Sequence, residues 1–313
     1  MFSFVVRRVL ATVPVLLIVA VLVFLLLRLT PGDPAAILAG DAANTEQIAQ
    51  IRANLGLDRP IVAQFGIWAG QLLRGDLGES FYYKTQVATL IGQRLEPTLS
   101  LAALTILIAV LVAVPLGILA AWRQGGWLDR ALMGFSVIGF SVPVFVLAYI
   151  LIWLVSLKLG WLPVQGYQRI ADGAGLWLYH LVLPSVTLSV LYIALIARVT
   201  RASVMEALGE DYIRTARAKG LPELRVLVRH ALTNAAVPIV TVIGIGIALL
   251  IGGVVVTESV YAIPGLGRLT VDAVLARDFP TVQGLILFFS FIYVLVNLLV
   301  DLSYVFLDPR IRY

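Results

Sequence analysis

Long apolar runs alternate with short polar stretches along most of this 313-residue chain. A run of about 20 mainly apolar residues is long enough to cross roughly 30 Å of hydrocarbon as a helix. Six runs reach that length, and they cover about 9–29, 98–121, 131–157, 181–199, 234–257 and 283–306. The pattern predicts an all-α integral membrane protein with six transmembrane helices.

The composition supports this class of protein. Hydrophobic residues make up 60% of the chain and charged residues 13%, with a mean hydropathy of +0.98. A soluble domain has about 45–50% apolar and about 25% charged residues. The chain has no cysteine, and its two histidines, His180 and His230, lie far apart. These counts exclude a disulfide, a thiol nucleophile and a histidine-rich metal cluster, so we expect no metal site in this chain. We also expect no bound cofactor and no catalytic residue.

Charge predicts the orientation. The first run follows Arg7 and Arg8, but it is too long for a typical signal peptide, so we expect a retained anchor. Basic residues concentrate in the 122–130 turn and in the 198–232 loop, which places both segments and both termini in the cytoplasm. We attribute the net charge of +5 to anionic lipid headgroups and expect no nucleic-acid partner.

The loop at 30–96, between the first two spans, has a helical pattern of its own. Asn44 and Gln47 can cap a first helix, and two further groups recur at helical spacing: Ile61, Phe65, Trp68 and Leu72, then Val87, Leu90, Ile91 and Leu95. We expect three short amphipathic helices that either cover the spans or contact an external partner. The predicted organisation is 1–97 for the first span and outer loop, 98–307 for a five-helix core, and 308–313 for a tail.

The 198–232 loop is the longest polar segment on the predicted inner side. Acidic Glu206, Glu210 and Asp211 precede basic Arg214, Arg217 and Lys219, an order that suits the dipole of a short helix. Gly220 ends this helix, and Pro222 with Glu223 opens the next one. We expect Tyr212, Ile213 and Ala216 to be exposed at the tip, and the second helix to group Leu224, Leu227 and Ala231 on one stripe. Attraction to lipid explains the basic charge but not this pair of helices.

An ATP-binding loop is absent from the sequence. A phosphate-cradling motif ends in Gly-Lys-Ser/Thr, and none of the lysines, Lys84, Lys158 and Lys219, follows a glycine. If ATP drives this protein, the coupling is mechanical and the ATP is bound by another chain.

Three polar positions near the span ends are further candidates. Glu258 lies at the outer end of the fifth span, where it either contacts a partner or marks the end of the span. Asn297 and Asp301 lie one helical turn apart near the inner end of the sixth span. Acids inside a membrane are functional candidates, and a structural role near the interface is the alternative for this pair.

Two stretches, Gly209–Leu221 and Arg229–Pro238, resemble the signature loop of peptide-importing ABC transporter permeases of the dipeptide and oligopeptide B type. The general loop of that family begins Glu-Ala-Ala, and Arg214 stands here in place of the glutamate. Further matching segments run from end to end of the chain: Pro31–Pro34, Leu55–Pro60, Gly75–Gly78, Glu258–Gly267, Arg277–Pro280 and Asp308–Arg312.

The resemblance implies a type I ABC importer permease in a bacterial or archaeal cytoplasmic membrane, the inner membrane in a Gram-negative cell. It implies a second homologous permease, two ATP-binding subunits that hold ATP and Mg, and an external substrate-binding protein. The chain itself is then a transport subunit and not an enzyme. The implied ATPase-coupling residues are Gly209, Glu210, Asp211, Tyr212, Ile213, Arg214, Thr215, Ala216, Arg217, Ala218, Lys219 and Gly220. Candidates for a gate or a binding-protein contact are Glu258, Tyr261 and Pro264.

The cargo implied by the resemblance is di- or oligopeptides. Related permeases handle nickel complexes, glutathione or oligosaccharides, so these cargoes stay open. The alternative of a different class is an ion-coupled secondary carrier that acts alone. Such a carrier needs acids near mid-membrane, and the sequence places none there clearly.

Overall fold

The structure is a computed structural model that describes residues 2–29, 35–36, 44–54 and 56–307. Helices form its regular elements in these ranges. They are α1 (Phe2–Leu29), α2 (Thr45–Asn54), α3 (Ile61–Leu73), α4 (Val87–Trp122), α5 (Trp127–Ser141), α6 (Val144–Lys158), α7 (Ala174–Leu208), α8 (Asp211–Ala218), α9 (Glu223–Asn234), α10 (Ala236–Gly253), α11 (Val255–Val260), α12 (Leu266–Leu275) and α13 (Phe279–Leu307). The segments Pro31–Pro34 and Asp308–Arg312, and residue Leu55 of a third motif, lie outside the described residues.

The all-helical, multi-spanning fold is confirmed. Four helices, α1, α4, α7 and α13, contain segments long and apolar enough to cross a membrane. Two bent pairs, α5 with α6 and α9 with α10, raise the number of spans to as many as six within the described ranges. The cytoplasmic orientation of the termini stays a prediction, and so do the predicted domain boundaries.

The third predicted span, 131–157, is not one straight helix. It divides into α5 and α6, which meet at an angle of 102°. Val142 is extended, with φ −83° and ψ 120°, and Pro143 follows it. A proline disfavours helical geometry in the residue before it, so the break falls where the sequence places its proline. The far part of α6, Ile152–Lys158, continues as a π-helix.

The third outer helix is also corrected. The group from Val87 to Leu95 is not a separate helix but the first turns of α4, which runs on through Pro97 and Pro115. Proline removes one backbone donor, and an apolar helix tolerates this loss when its neighbours support the backbone. The helices predicted near Asn44 and Ile61 are present as α2 and α3.

The chain divides into two compact units. The larger unit combines Met1–Val6, Leu95–Arg268 and Ile292–Tyr313, and α7 is its most buried long helix. Three spans approach α7 closely at glycines. A Cβ on Gly117 of α4 would lie 2.7 Å from Thr200 Cβ, one on Gly139 of α5 3.2 Å from Ala194 Cβ, and one on Gly246 of α10 3.1 Å from the Tyr192 ring. Small residues therefore serve close helix packing here.

The smaller unit combines Arg7–Arg94 with Leu269–Phe291. Phe24 of α1 packs against Phe65 and Trp68 of α3, with ring centroids 5.1 and 5.5 Å apart. Buried Asp278 lies just before α13. Its carboxylate accepts hydrogen bonds from the hydroxyls of Ser80 and Thr281, at 2.5 and 2.6 Å, and from the Phe81 N–H at 2.9 Å. This carboxylate fixes the segment before α4 to the start of α13.

Candidate functional site

Helix α8 forms within the 198–232 loop as the charge order predicts. After α7 ends, Glu210 is extended, with φ −76° and ψ 150°, and α8 begins at Asp211. Asp211 lies in the first turn and Arg217 in the last turn, so each charge complements the helix dipole.

Gly220 ends α8 with a left-handed turn, at φ 76°. Its N–H donates to the Arg217 carbonyl at 2.9 Å, and the Leu221 N–H donates back to the Ala216 carbonyl at 3.3 Å. These two bonds form a Schellman motif, which suits glycine because a residue with a Cβ is strained at positive φ. The end of α8 at Gly220 thus agrees with the prediction, because the turn needs a residue that adopts positive φ.

One face of α8 packs into the chain itself, which corrects the prediction of an exposed tip. Ile213 is fully buried and Ala216 is 6% exposed, whereas Tyr212 is 39% exposed as expected. Leu221 also packs against this cluster. The buried members of the cluster are Ala121, Val204, Ala207, Ile213, Ala216, Val226, Ala231, Ala235 and Ile239. The short helix is thus fastened to the ends of α4, α7 and α9 and to the start of α10.

The other face of α8 is polar and open. The side chains of Arg214 and Asp211 pair at 3.1 Å but remain 76% and 92% exposed. Arg217 instead donates two hydrogen bonds to the Glu223 carboxylate, at 2.6 and 3.2 Å, which joins α8 to α9. The hydrogen bond to Glu223 raises the pKa of the Arg217 guanidinium. Arg214 is therefore the arginine more available to a partner.

Helix α9 begins after Pro222 as predicted, but its apolar stripe differs from the predicted one. Leu227 and Ala231 are buried, together with Val226, while Leu224 is 73% exposed. Residues Val226–Ala231 form a π-helical stretch. The wider turn departs from the α-helical period on which the prediction rested.

A cleft of about 610 Å³ opens beside the start of α8. The exposed carboxylates of Glu206 and Glu210 line it, together with Tyr212 and Asn234. The cleft is acidic within a loop that is otherwise mostly basic. Within the described part of the chain, no group of three or more histidine, cysteine or carboxylate side chains could hold a metal ion.

An ion pair near this loop was missed by sequence reasoning. Asp129, in the first turn of α5, binds Arg201 of α7 through both carboxylate oxygens, and one of these bonds, from Nη2 to Oδ2, is 2.7 Å long. The charges already placed both residues on the inner side. However, the pair is 72 positions apart in sequence, and no local spacing signals such a contact.

Glu258 is fully buried and links separate helices through its carboxylate, while its contact with a binding protein stays a prediction. Its carboxylate accepts hydrogen bonds from the Thr98 hydroxyl at 2.6 Å and from the Arg268 N–H at 2.9 Å. Thr98 Oγ1 in turn accepts from the Leu266 N–H at 2.8 Å, so the carboxylate holds the first turn of α12 against α4. A Cβ on Gly265 would overlap this carboxylate, which explains a glycine there.

Tyr261 is also buried, and its hydroxyl lies 2.7 Å from the hydroxyl of Thr187. Burial raises the pKa of the tyrosine. Pro264 is partly exposed in the same loop. The Glu258 and Tyr261 side chains are thus covered in this conformation, and a role for the loop as a gate stays a prediction.

The polar pair of the last span lies on α13. The Asn297 side-chain amide donates to the Tyr293 carbonyl one turn earlier, at 2.9 Å. Asp301 is half-buried. The bond to its own helix agrees with a structural role for Asn297.

Comparison with known proteins places these features in a family. The family described as binding-protein-dependent transport system inner membrane component matches residues 113–313, and the corresponding N-terminal family matches residues 1–102. A probable peptide ABC transporter permease of Sinorhizobium fredii is 54% identical over 99% of both chains. A putative peptide transport system permease of Brucella abortus is 46% identical, and a glutathione transport system permease of Escherichia coli 44%, each over the full length of both chains.

A solved structure shares the fold. The inward-facing MetNI methionine ABC transporter contains a chain that superposes with a TM-score of 0.58. The match covers 70% of this chain and 96% of that chain, at 18% sequence identity.

The Glu258 anchor yields a prediction for stability. In Glu258→Gln, the Thr98 hydroxyl and the Arg268 N–H lose a charged acceptor, and the closeness of Gly265 leaves the new side chain no room to move aside. Loss of the charge-assisted bonds should lower the free energy of unfolding by about 1.5–3 kcal/mol. Thermal unfolding of the purified protein in detergent measures this, with exposed Asp172→Asn as control. Equal unfolding midpoints for the two variants would show that Glu258 is not an anchor.

Proposed function

The chain belongs to the family of binding-protein-dependent transport system inner membrane components, and on this premise we propose that it carries peptides through a membrane, driven by ATPase subunits that act on α8. It is a multi-pass permease of the ABC importer class. Family membership favours this importer over a carrier that acts alone.

The main support for this proposal is that α8 has one buried face and one exposed face. Ile213 and Ala216 fix its inner face to the chain's own core, while Tyr212, Arg214 and Thr215 on its outer face are exposed. A push on the outer face therefore moves the attached spans instead of bending a loose loop. The proposed ATPase-coupling segment is Gly209–Gly220.

The proposed partners follow from membership of this transporter family. Two ATP-binding subunits hold ATP and Mg, which agrees with the lack of a phosphate-binding loop in this sequence. A second homologous permease completes the pathway, and an external binding protein delivers the cargo. In this arrangement the 198–232 loop and both termini face the cytoplasm of a bacterial cell, and the chain lies in its inner membrane.

The proposed cargo is di- or oligopeptides, because the relatives at 54% and 46% identity are named for peptide transport. Glutathione, itself a tripeptide, is the second candidate, on the strength of relatives at 44% identity. Peptides and glutathione share charged ends and amide bonds.

The Gly220 turn supplies a test of coupling. Gly220→Val should be strained at φ 76°, whereas Gly220→Asn should be tolerated, because asparagine visits this region more readily. We expect the valine variant to hydrolyse ATP while importing much less labelled dipeptide per ATP, and the asparagine variant to stay close to wild type. Uptake and ATPase rates of the reconstituted importer measure both. Wild-type coupling in the valine variant would contradict the proposal.

The open face of α8 supplies a second test. Arg214→Glu should weaken the binding of the ATPase subunits to the permease by about tenfold or more. A surface that complements the positive charge of Arg214 repels the negative charge that replaces it. The exposed Arg214–Asp211 pair contributes little to folding, so insertion should be unaffected. Copurification of tagged permease with its ATPases measures retention. The control is Arg169→Glu, an equal charge reversal at an exposed arginine between α6 and α7, outside the proposed coupling segment. Full ATPase retention in Arg214→Glu would exclude this arginine from docking.

A further inference from the structure

The Asp129–Arg201 pair joins α5 to α7, and α7 is the helix that leads directly into α8. Arg201 lies seven residues before the end of α7, about 10 Å along the helix at 1.5 Å per residue. Asp129 lies at the opposite end of α5 from the 102° bend. The pair therefore connects the last turns of α7, which precede α8, to the bent α5–α6 element.

The pair is built with directional bonds. The two Asp129 oxygens accept from Nε and Nη2 of Arg201, and Oδ2 also accepts the Gly125 N–H at 2.9 Å. The Asp129 side chain is 6% exposed and that of Arg201 20%. A bidentate arginine–carboxylate pair fixes both the distance and the relative angle of its two side chains.

The other contacts between α5 and α7 are less directional. The Ser136 hydroxyl approaches the Ala194 carbonyl at 3.3 Å, and Gly139 lets the two backbones pack closely near the same alanine. The Arg198 guanidinium lies 5.3 Å from the centroid of the Phe140 ring. Such contacts bring the helices together without fixing the angle between their side chains, whereas the bidentate ion pair fixes both distance and angle.

A buried ion pair is a weak source of stability, because its desolvation offsets much of its attraction. The best-attested use of such a pair is to fix one arrangement of the helices out of several. We propose that Asp129 and Arg201 form a clamp that keeps α5 in register with α7, so that movement of α8 reaches the α5–α6 element. The proposal rests on the proposed function, since it gives the clamp a part in ATP-driven coupling. Both are positioning residues.

The contacts of α6 show where such movement can lead. Helix α6 packs against both α7 and α11, and α11 carries Glu258, the anchor of the α12 start. The α5–α6 element thus connects the side of α8 with the loop at 261–265. A clamp at Asp129 therefore fixes the position of α5, where this connection begins, relative to α7.

The experiment uses the cysteine-free sequence for site-specific spin labelling. Cysteines replace Gly134 on α5, where a side chain meets no neighbour, and exposed Ala202 on α7. The chain alone, in lipid nanodiscs, should show a narrow distance distribution between the labels. Asp129→Asn should broaden it, and the swap of Asp129→Arg with Arg201→Asp should narrow it again. The control is Arg130→Gln, which changes an exposed neighbouring charge.

A second measurement tests the part of the clamp in coupling. In the reconstituted importer, stimulation of ATPase activity by the external binding protein should fall about threefold or more in Asp129→Asn. Basal ATPase activity should stay near wild type, and the swap should recover most of the stimulation. A purely structural pair would lower basal and stimulated rates together.

The outcomes separate the clamp from the proposed function. An unchanged distance distribution in Asp129→Asn, or a swap that leaves it broad, overturns the clamp. If Asp129→Asn fails to fold, the distance distributions of Arg201→Lys and of the swap are compared instead. Arg201→Lys should broaden the distribution, and the swap should keep it narrow. A wild-type complex whose ATPase ignores the binding protein contradicts the proposed function instead. The distance measurement then still decides the clamp, because it needs no partner.

Discussion

The burial of one face of α8 is the constraint on which the rest of this account depends. Ile213 and Ala216 pack among side chains from α4, α7, α9 and α10, and the Gly220 turn closes the helix. Buried apolar surface and a hydrogen-bonded cap make this eight-residue segment a fixed part of the core, although so short a helix is not stable alone in water. The polar face of α8 stays exposed, while the buried face holds the helix in place.

Helix α7 extends that fixed region into the spans. Glycines on α4, α5 and α10 bring three helices close enough that a single Cβ would meet α7, and the Asp129–Arg201 pair adds a directional bond. Close-packed interiors shift between discrete arrangements and do not deform continuously. The larger unit is closely packed around α7, and the 102° bend between α5 and α6 lies within it.

Much of the fold and of the candidate site follows from local sequence. Apolar run length located the spans, and the charge order with Gly220 and Pro222 located α8 and α9, because these signals act within a few residues. The direction of Ile213 was missed, since a pattern shows that a face is apolar but not which surface covers it. The bend at Pro143 was missed because proline inside an apolar run allows either a kink or a break. The Thr98–Glu258 bond joins residues 160 positions apart, and no spacing rule predicts such a contact.

The central claim is that the energy for transport comes from outside this chain and enters through α8. Its most direct test compares lipid vesicles containing the purified chain alone with vesicles containing it together with its second permease and ATPases. Both kinds of vesicle receive labelled dipeptide, the binding protein and an imposed proton gradient, and each is measured with and without ATP. The account predicts accumulation against the dipeptide gradient only in the complete assembly, and only with ATP. Accumulation by the chain alone, driven by the proton gradient, would contradict it.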